Sequence, residues 1–362
     1  MNTHNFKTQN TFSSMLMSLS FLLILLHPNM EVKPAVIVVT TTIQAAVDAA
    51  NPGDTVRVPP GIYHENVLVA KDNITIKGQS GAILDGTGLL GNSGITVRPS
   101  SPSARISGFR LTGLQIQNYS RNGVILIRVD NYEIENGKYI NNEEYGIFPI
   151  RSSHGLIRSN QVSGSNDTGI YIGQSNDAII RNNQVSDCTV GIEVEVSSNV
   201  SVQDNKVLDN TIGISAIVLP GLSVTETANI QVIRNLVIRN NRPNPVTDPT
   251  EILSQLPSGA GLMLIGVDNA IVTDNKVLEN NSVGIAVFQV PPALAVLDPR
   301  IDPFPDHNQL NGNVVLSNGS NPDPKIAPFP PSDLIWDFSG MGNCWSDDVY
   351  KTSFPNPLPA CP

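Results

Sequence analysis

The chain repeats one short phrase at a nearly constant interval, and this period limits its fold more than any other feature. Each phrase opens with a glycine followed by an apolar residue, and successive glycines lie 22 or 23 residues apart. They are Gly123, Gly146, Gly169, Gly191 and Gly213, with Gly261 and Gly284 continuing the series after an interruption. A fixed period in the low twenties predicts stacked supersecondary units that pack on their neighbours.

A second marker, of the form Ile/Val-x-x-Asn-x-Val, keeps the same internal spacing wherever it occurs. The runs around it are short and rich in β-formers, such as "GIEVEV" and "NKVLDN". Three short strands and three turns per repeat predict an all-β, single-stranded parallel β-helix, in which each strand pairs with its copy about 4.8 Å away. Equivalent side chains then stack in columns, so the marker asparagines are predicted to form a structural amide ladder. These are Asn160, Asn183, Asn205, Asn235 and Asn275.

Loops interrupt the repeat in its second half. The distance from Gly213 to Gly261 fits one coil that carries two insertions, 219–229 and 241–259, and a third loop, 291–309, follows the last regular strand. Insertions in solenoid proteins commonly lie on one face, which is often the binding face.

The two ends of such a solenoid need caps, because an open β-helix exposes unpaired strand edges. We expect a short capping helix and the first coils within 42–86, regular coils over 103–290, and a loop-rich cap over 291–362. In an exported protein, a disulfide between Cys344 and Cys361 would close the proline-rich tail.

Composition and the N-terminus narrow the location and the partners. The formal net charge of −10 disfavours nucleic acid and anionic membrane surfaces as partners. An apolar run at 15–26 has the length of a signal-peptide core and is too short to span a bilayer. We therefore predict a signal peptide over 1–32 and a mature domain over 33–362. The mature chain is expected to be a monomer, secreted or periplasmic, with no membrane span.

The stretch "TIQAAVDAANPGDTVRVPPGIYHENVLVAKDNITIKGQSGAILDG" at 42–86, followed by such coils, resembles the pectin-lyase-like right-handed parallel β-helix superfamily. It is most similar to secreted bacterial β-helix repeat proteins. The resemblance implies the fold. It leaves the function open among lyases, hydrolases, epimerases, adhesins and maturation factors.

One segment carries a narrower resemblance. "YGIFPIRSSH" at 145–154 is similar to the mannuronan C5-epimerase segment Y-G-F-D-P-H, with Tyr145, Gly146 and Pro149 matching. Phe148 and Ile150 occupy the Asp and His positions. The resemblance implies an acid role for Tyr145, while the two replaced residues count against the epimerase mechanism.

Strand alternation places two residue columns on the outside of the coils, and these columns are apolar and aromatic near their middle. Phe148 and Tyr171 are predicted to stack on a sugar ring. Glu193 and Glu195 lie two positions apart on one strand, where they can act as acid and base of a glycosidase or bind Ca²⁺. The competing interpretation is a face covered by the inserted loops.

The next position along adds a polar column one coil apart at each step: Arg128, Arg151 and Gln174. Stacked arginines repel unless an anion lies near them, and a uronic acid carboxylate would serve. His154 falls in a polar turn column and is the best-placed histidine for proton transfer. No cofactor is predicted beyond calcium, for which the loop "DPRIDPFPDH" at 298–307 offers ligands or serves as a rigid surface loop.

Two hypotheses for function follow. The first is a secreted carbohydrate-binding or carbohydrate-active protein, with a lyase, epimerase or hydrolase activity on acidic polysaccharide. The second is a non-catalytic surface or periplasmic protein that serves structure, adhesion or maturation of another protein.

Overall fold

The computed structural model describes residues 33–89 and 91–362, and the predicted signal peptide over 1–32 lies outside them. Residues Ala35–Pro362 form one compact unit built from three long sheets, in which every strand pairing is parallel. The strands pair with their copies in the neighbouring coils, so the prediction of an all-β parallel β-helix is confirmed.

Each regular coil contributes one short strand to each sheet. Within the described residues, sheet 1 has twelve strands: Val36–Val38, Thr55–Val58, Thr75–Gly78, Arg110–Thr112, Glu133–Glu135, Leu156–Arg158, Ile179–Arg181, Ser201–Gln203, Gln231–Ile233, Ile271–Thr273, Gln309–Asn311 and Cys344–Ser346. Sheet 2 has ten: Gly61–Tyr63, Ala82–Asp85, Gln115–Gln117, Lys138–Ile140, Gln161–Ser163, Gln184–Ser186, Lys206–Leu208, Leu236–Ile238, Lys276–Leu278 and Val314–Leu316.

Sheet 3 has the longest strands, and the glycine of each repeat lies in its strand or directly before it. Its eleven described strands are Val67–Val69, Ile95–Val97, Val124–Ile127, Ile147–Ile150, Thr168–Gly173, Val190–Glu195, Ile212–Ile217, Ala260–Ile265, Val283–Phe288, Ser332–Trp336 and Ser353–Phe354. Two minor parallel pairs join Ile106–Ser107 to Val129–Asp130 and Thr227–Ala228 to Val267–Asp268.

The helices are short and lie at the cap and in the loops. The N-terminal helix Ile43–Ala49 begins after Thr42, whose hydroxyl accepts a hydrogen bond from the Ala45 amide at 3.1 Å. Ile43, Ala46 and Val47 bury one helix face against the first coil, so the predicted capping helix is present. The others in the described part of the chain are the α-helix Pro292–Ala295 and two 3₁₀ turns, Ile252–Gln255 and Pro324–Ile326.

Close packing inside the coil explains the glycine period. A Cβ atom at Gly146 would lie 2.7 Å from the carbonyl oxygen of Gly169 and would overlap the Val162 side chain. Gly169 stands in the same relation to Val185 and to the carbonyl oxygen of Gly191. The glycine and the valine of the second marker are therefore two sides of one contact, and a larger residue at the glycine would force the coils apart.

The marker asparagines stack in one column inside a turn. Asn183 Oδ1 accepts from both the backbone amide and the side-chain amide of Asn160, each at 3.0 Å, and the pattern repeats coil by coil to Asn313. A second ladder, which the sequence analysis missed, runs through Asn210, Asn240, Asn280 and Asn318. Both ladders satisfy buried amide groups that would otherwise have no partner.

The C-terminal end is tied back to the last coil. Cys344 and Cys361 form a disulfide that joins the strand Cys344–Ser346 to the tail, and Cys188 is a free, buried thiol. No helix in the described part of the chain is long and apolar enough to cross a membrane.

Candidate functional site

The outer face of sheet 3 is divided by the inserted loops. From the strand Ile212–Ile217 onward, outward residues such as Met263 and Ile265 are buried in a second apolar cluster. Leu222 of the first loop, Leu253 of the second and Leu294 of the third pack against that cluster. The loops therefore cover the later half of this face. In the earlier half Ile125, Ile127, Phe148 and Ile150 remain half-exposed.

An aromatic group stands at the boundary between the two halves. The rings of Tyr145 and Phe148 stack with centroids 4.2 Å apart, and the Tyr171 ring meets Phe148 edge-on at 4.8 Å. Tyr171 is only 5% exposed, so neither face of its ring is open to a sugar, contrary to the expected stacking role. Tyr145 and Phe148 keep partly exposed edges.

Gly173 explains why Tyr171 lies flat. Its column holds isoleucine in the adjacent coil at Ile150, but a Cβ atom at Gly173 would overlap the Tyr171 ring. The absent side chain lets the ring lie along its own strand, where its hydroxyl hydrogen-bonds to Glu195.

Three carboxyl groups surround these rings, and we call this set the carboxyl cluster: Asp167, Glu193 and Glu195 with Thr168, Tyr145 and Tyr171. The Thr168 hydroxyl lies 2.8 Å from Glu193 Oε2 and 3.0 Å from Asp167 Oδ1, and the Tyr145 hydroxyl also bonds Asp167. Asp167 was missed in the sequence, because it precedes the repeat glycine by two residues in a turn position that otherwise looks unremarkable.

Burial governs the ionisation of the cluster. It raises the pKa of Glu195 to about 7 and that of Asp167 to about 6. Burial, followed by the charges of Glu195 and Asp167, raises the pKa of Glu193 well above its usual range. The same cause, with the charge of Asp167, holds Tyr145 protonated by raising its pKa.

This geometry does not fit the glycosidase interpretation of the two glutamates. Glu193 is only 7% exposed and bonded to Thr168, so it cannot meet a polymer from solvent without rearrangement. In residues 33–89 and 91–362, no group of three His, Cys, Asp or Glu side chains is placed to hold a metal ion.

The polar column lies apart from the carboxyl cluster, at the end of the same strands. Arg128, Arg151 and Gln174 all adopt left-handed backbone conformations, with φ of 55°, 53° and 49°. The side chains of Arg151 and Gln174 line the edge of the coil next to sheet 3. Gln174 is held by the first loop, since the Ser223 hydroxyl donates to its Oε1 at 2.6 Å.

An open cleft of about 440 Å³ lies at this edge, and it brings Arg151, Gln174 and His154 together. Its other lining residues are Arg105, Asp130, Asn131, Ser153 and Asn176. Arg105 pairs with Asp130 and donates to the Arg151 carbonyl oxygen at 3.0 Å. Arg105 lies before the first regular repeat, so no periodic signal pointed to it.

The cleft carries positive charge that its own residues do not neutralise. Among the described residues no carboxylate lies within ion-pair distance of Arg128 or Arg151, whereas Arg105 has Asp130. His154 is mostly exposed, and its Nε2 lies 3.7 Å from Asp177 Oδ2. An anion that enters the cleft would therefore meet an unpaired guanidinium and an imidazole.

The aspartates of the loop 291–309 form an ion pair and hydrogen bonds that hold the loop in place. Asp298 pairs with Arg300 and accepts from the Gly221 amide at 3.0 Å, which ties this loop to the first one. Asp306 accepts from the Met341 amide at 2.6 Å, and Asp302 from the Phe304 amide at 3.0 Å. These bonds favour the rigid-loop interpretation over a calcium loop.

Comparison with known proteins identifies the same fold. Residues 93–243 match the family model described as "Right handed beta helix region". The A-module of a mannuronan C-5 epimerase from Azotobacter vinelandii superposes with a TM-score of 0.64 at 16% identity, covering 84% of this chain and 82% of that one. No curated protein matches the sequence significantly.

Two further solved structures show the same likeness. A periplasmic alginate epimerase gives a TM-score of 0.58 at 16% identity, over 82% of this chain and 73% of its own. An alginate lyase from Paenibacillus sp. gives 0.57 at 15% identity, over 77% and 94%. At such identities the likeness establishes the fold alone. The predicted right-handed parallel β-helix fold is confirmed.

Proposed function

We propose that this right-handed parallel β-helix protein binds an acidic polysaccharide outside the cytoplasm, with the polymer's carboxylates held in the arginine-lined cleft. The observation that carries the proposal is Arg151, an exposed guanidinium without a carboxylate partner among the described residues, in a cleft of a chain whose net charge is −10. A guanidinium forms two parallel hydrogen bonds with a carboxylate, which suits a uronate unit.

The surroundings of Arg151 add the other elements of a saccharide site. Gln174, Asn131 and Asn176 line the cleft with amide donors and acceptors suited to sugar hydroxyls. The partly exposed edges of Tyr145 and Phe148 lie on the adjoining sheet face, where a sugar ring can pack. A chain of sugars can therefore run from this aromatic edge into the cleft.

Two further observations support the location and the ligand class. The neighbours named above are, by name, epimerases or a lyase of mannuronan or alginate, and one is periplasmic. Both polymers are acidic polysaccharides. The Cys344–Cys361 disulfide is of the kind that persists in oxidising compartments. The neighbours favour an acidic glycan as ligand, and the disulfide favours an exported protein.

The test is binding of the mature chain to polyuronates and to a neutral glucan at low and moderate salt. We expect saturable polyuronate binding that weakens with salt, and about a tenfold loss of affinity in Arg151→Gln. Arg57→Gln is the matched control, because Arg57 is an exposed arginine on sheet 1, away from the cleft. Equal affinity in both variants would contradict the proposal.

A second candidate function is a lyase or epimerase reaction on the bound polymer, and the position of His154 favours it. A base that removes the proton next to a uronate carboxylate needs a cation at that carboxylate. His154 and Arg151 supply this pair within one cleft, and Asp177 lies near the imidazole. His154→Gln would then abolish unsaturated products and C5 deuterium exchange while binding is retained. Absence of both signals in the unaltered protein would leave binding as the function.

A further inference from the structure

The carboxyl cluster is a group of acids with no basic partner, in which Glu193 is buried and Asp167 and Glu195 are partly buried. Within the described part of the chain, no arginine or lysine forms an ion pair with Asp167, Glu193 or Glu195. The charged groups that do influence it are themselves acidic: Glu144, and Glu251 of the second inserted loop, act on Asp167. Buried carboxylates without a counter-charge are costly, so the cluster must be stabilised in another way.

The number of hydrogen atoms available for hydrogen bonds indicates how the cluster is stabilised. The cluster has four contacts between a hydroxyl and a carboxyl group: Thr168 with Asp167, Thr168 with Glu193, Tyr145 with Asp167, and Tyr171 with Glu195. Three hydroxyls supply three hydrogens. If all four contacts are hydrogen bonds, the fourth hydrogen must come from a carboxylic acid beside Thr168, whose hydroxyl contacts both Asp167 and Glu193. Glu193 is the more buried of these two acids, so its charged form is the more costly.

We propose that the carboxyl cluster keeps at least one glutamic acid protonated in the folded protein at neutral pH, and that it acts as a pH-sensitive lock on the middle coils. The cluster stabilises these coils at mildly acidic pH, and this stabilisation decreases as the pH rises. Glu195 pairs in register with Gly173, and its carbonyl oxygen accepts from the Gln174 amide at 3.1 Å, so loosening reaches the wall of the cleft.

The direction follows from the ionisation of the folded and unfolded chains. Burial raises the pKa of Glu195 to about 7, that of Asp167 to about 6, and that of Glu193 further above its usual range. The folded state therefore binds more protons than the unfolded state near neutral pH. Its stability is complete below pH 4 as far as these groups are concerned, and is lost as the pH rises through about 6 to 7 and beyond.

The first experiment is infrared spectroscopy of the mature chain at pH 7, with and without ¹³C-labelled glutamate. We expect a carboxylic acid carbonyl band that shifts on labelling, which separates glutamic from aspartic acid. This measurement needs no variant. Absence of a label-sensitive acid band would overturn the proposal, because all glutamates would then be ionised.

The second experiment measures the melting temperature between pH 5 and pH 8. The unaltered chain should lose on the order of 5 °C more than the Glu193→Gln/Glu195→Gln variant over this range. Glu143→Gln, an exposed glutamate in the preceding coil, is the control and should keep the unaltered slope. Parallel curves for the unaltered chain and the double variant would also overturn the proposal. Neither experiment involves glycan, so both outcomes are independent of the proposed binding function.

Discussion

The two halves of the sheet 3 face share one backbone geometry and differ in what covers them. In the earlier half, Ile125 and Phe148 stand half-exposed beside the arginine-lined cleft. In the later half, Met263 occupies the same outward column and lies under the inserted loops at 4% exposure. The repeat therefore decides which way a side chain points. The loops decide whether that direction leads to solvent or to a second core.

The carboxyl cluster lies where the two halves meet, and this gives its residues their character. Phe148 and Tyr145 contribute to the open side, whereas Glu193 and Tyr171 are sealed in. We expect changes on the open side to alter glycan binding with little effect on folding, and changes on the covered side to alter folding.

The largest difference is expected when one substitution is made at matched positions in the two halves. Met263→Glu places a carboxylate without a partner beneath the loops and should lower the free energy of unfolding by about 4 kcal/mol. Ile125→Glu places the same group at a half-exposed site and should cost about 1 kcal/mol or less. Denaturant unfolding of both variants measures the difference.

If Met263→Glu and Ile125→Glu lower the free energy of unfolding equally, the loops do not seal the later half. Met263→Gln separates the effect of charge from that of side-chain shape, because glutamine has nearly the shape of glutamate and carries no charge. The free energy of unfolding of this variant should lie between those of the unaltered chain and Met263→Glu, because an uncharged amide is less costly to bury.

The next largest expected effect is the pH dependence of stability that Glu195 contributes. Its direction is opposite to that of the contribution from Asp85 in the first coils. The raised pKa of Glu195 corresponds to about 3 kcal/mol of stability that is lost as the pH rises from about 4 to about 7. Burial also raises the pKa of Asp85, but hydrogen bonds from Thr87, Gln117 and Asn118 outweigh it and lower the value to about 2. Its stabilising contribution is present above pH 4 and lost as the pH falls toward 2.

Two variants separate these opposite slopes. Glu195→Gln should reduce the loss of stability that occurs as the pH rises above about 4, and should leave the loss toward pH 2 unchanged. Asp85→Asn should reduce the loss toward pH 2 and leave the loss at higher pH unchanged. Chemical unfolding at intervals from pH 2.5 to pH 8.5 measures both. A loss of stability with rising pH that persists in Glu195→Gln would be assigned first to Glu193 and Asp167 of the same cluster, and then to Asp268, whose pKa burial raises to about 6.

A smaller effect is expected at Gly173, on the boundary itself. Gly173→Ala brings a methyl group into the Tyr171 ring, which must move and give up its hydrogen bond to Glu195. We expect a loss of about 2 kcal/mol. In a Tyr171→Ala background the same substitution should cost close to nothing, because the ring is gone. A cost that stays the same in both backgrounds would mean that the backbone, and not the ring, requires glycine.

Much of the fold could be predicted from the sequence because each coil repeats the same contacts. Gly146 against Val162 is one such contact, and its recurrence produces the 22- to 23-residue period. The ladder of Asn160 and its copies has the same origin. Residues that act once, in one coil, leave no such trace: Asp167 and Arg105 belong to the cluster and the cleft through contacts that occur at a single place.

The division of the sheet 3 face could not be predicted for a related reason. Alternation correctly placed Tyr171 and Glu193 on the outer surface of the coil, but an outward direction does not imply exposure. Leu253 and Leu256, which pack on the later half, come from a loop of irregular sequence whose path no period describes. The sequence left the open and covered interpretations undecided, and each applies to one half.

The smallest effect is expected on the open side, one coil beyond the cleft. Arg128 follows the same column as Arg151 and has no carboxylate within ion-pair distance among the described residues, so it can contact the next uronate unit. Arg128→Gln should weaken polyuronate binding about threefold without changing the melting temperature. Combining it with Arg151→Gln tests whether both arginines act on one polymer, since two independent contacts should lower affinity multiplicatively. A loss of stability in Arg128→Gln with unchanged binding would make this arginine part of the coil's packing, and the open half would then end at Arg151.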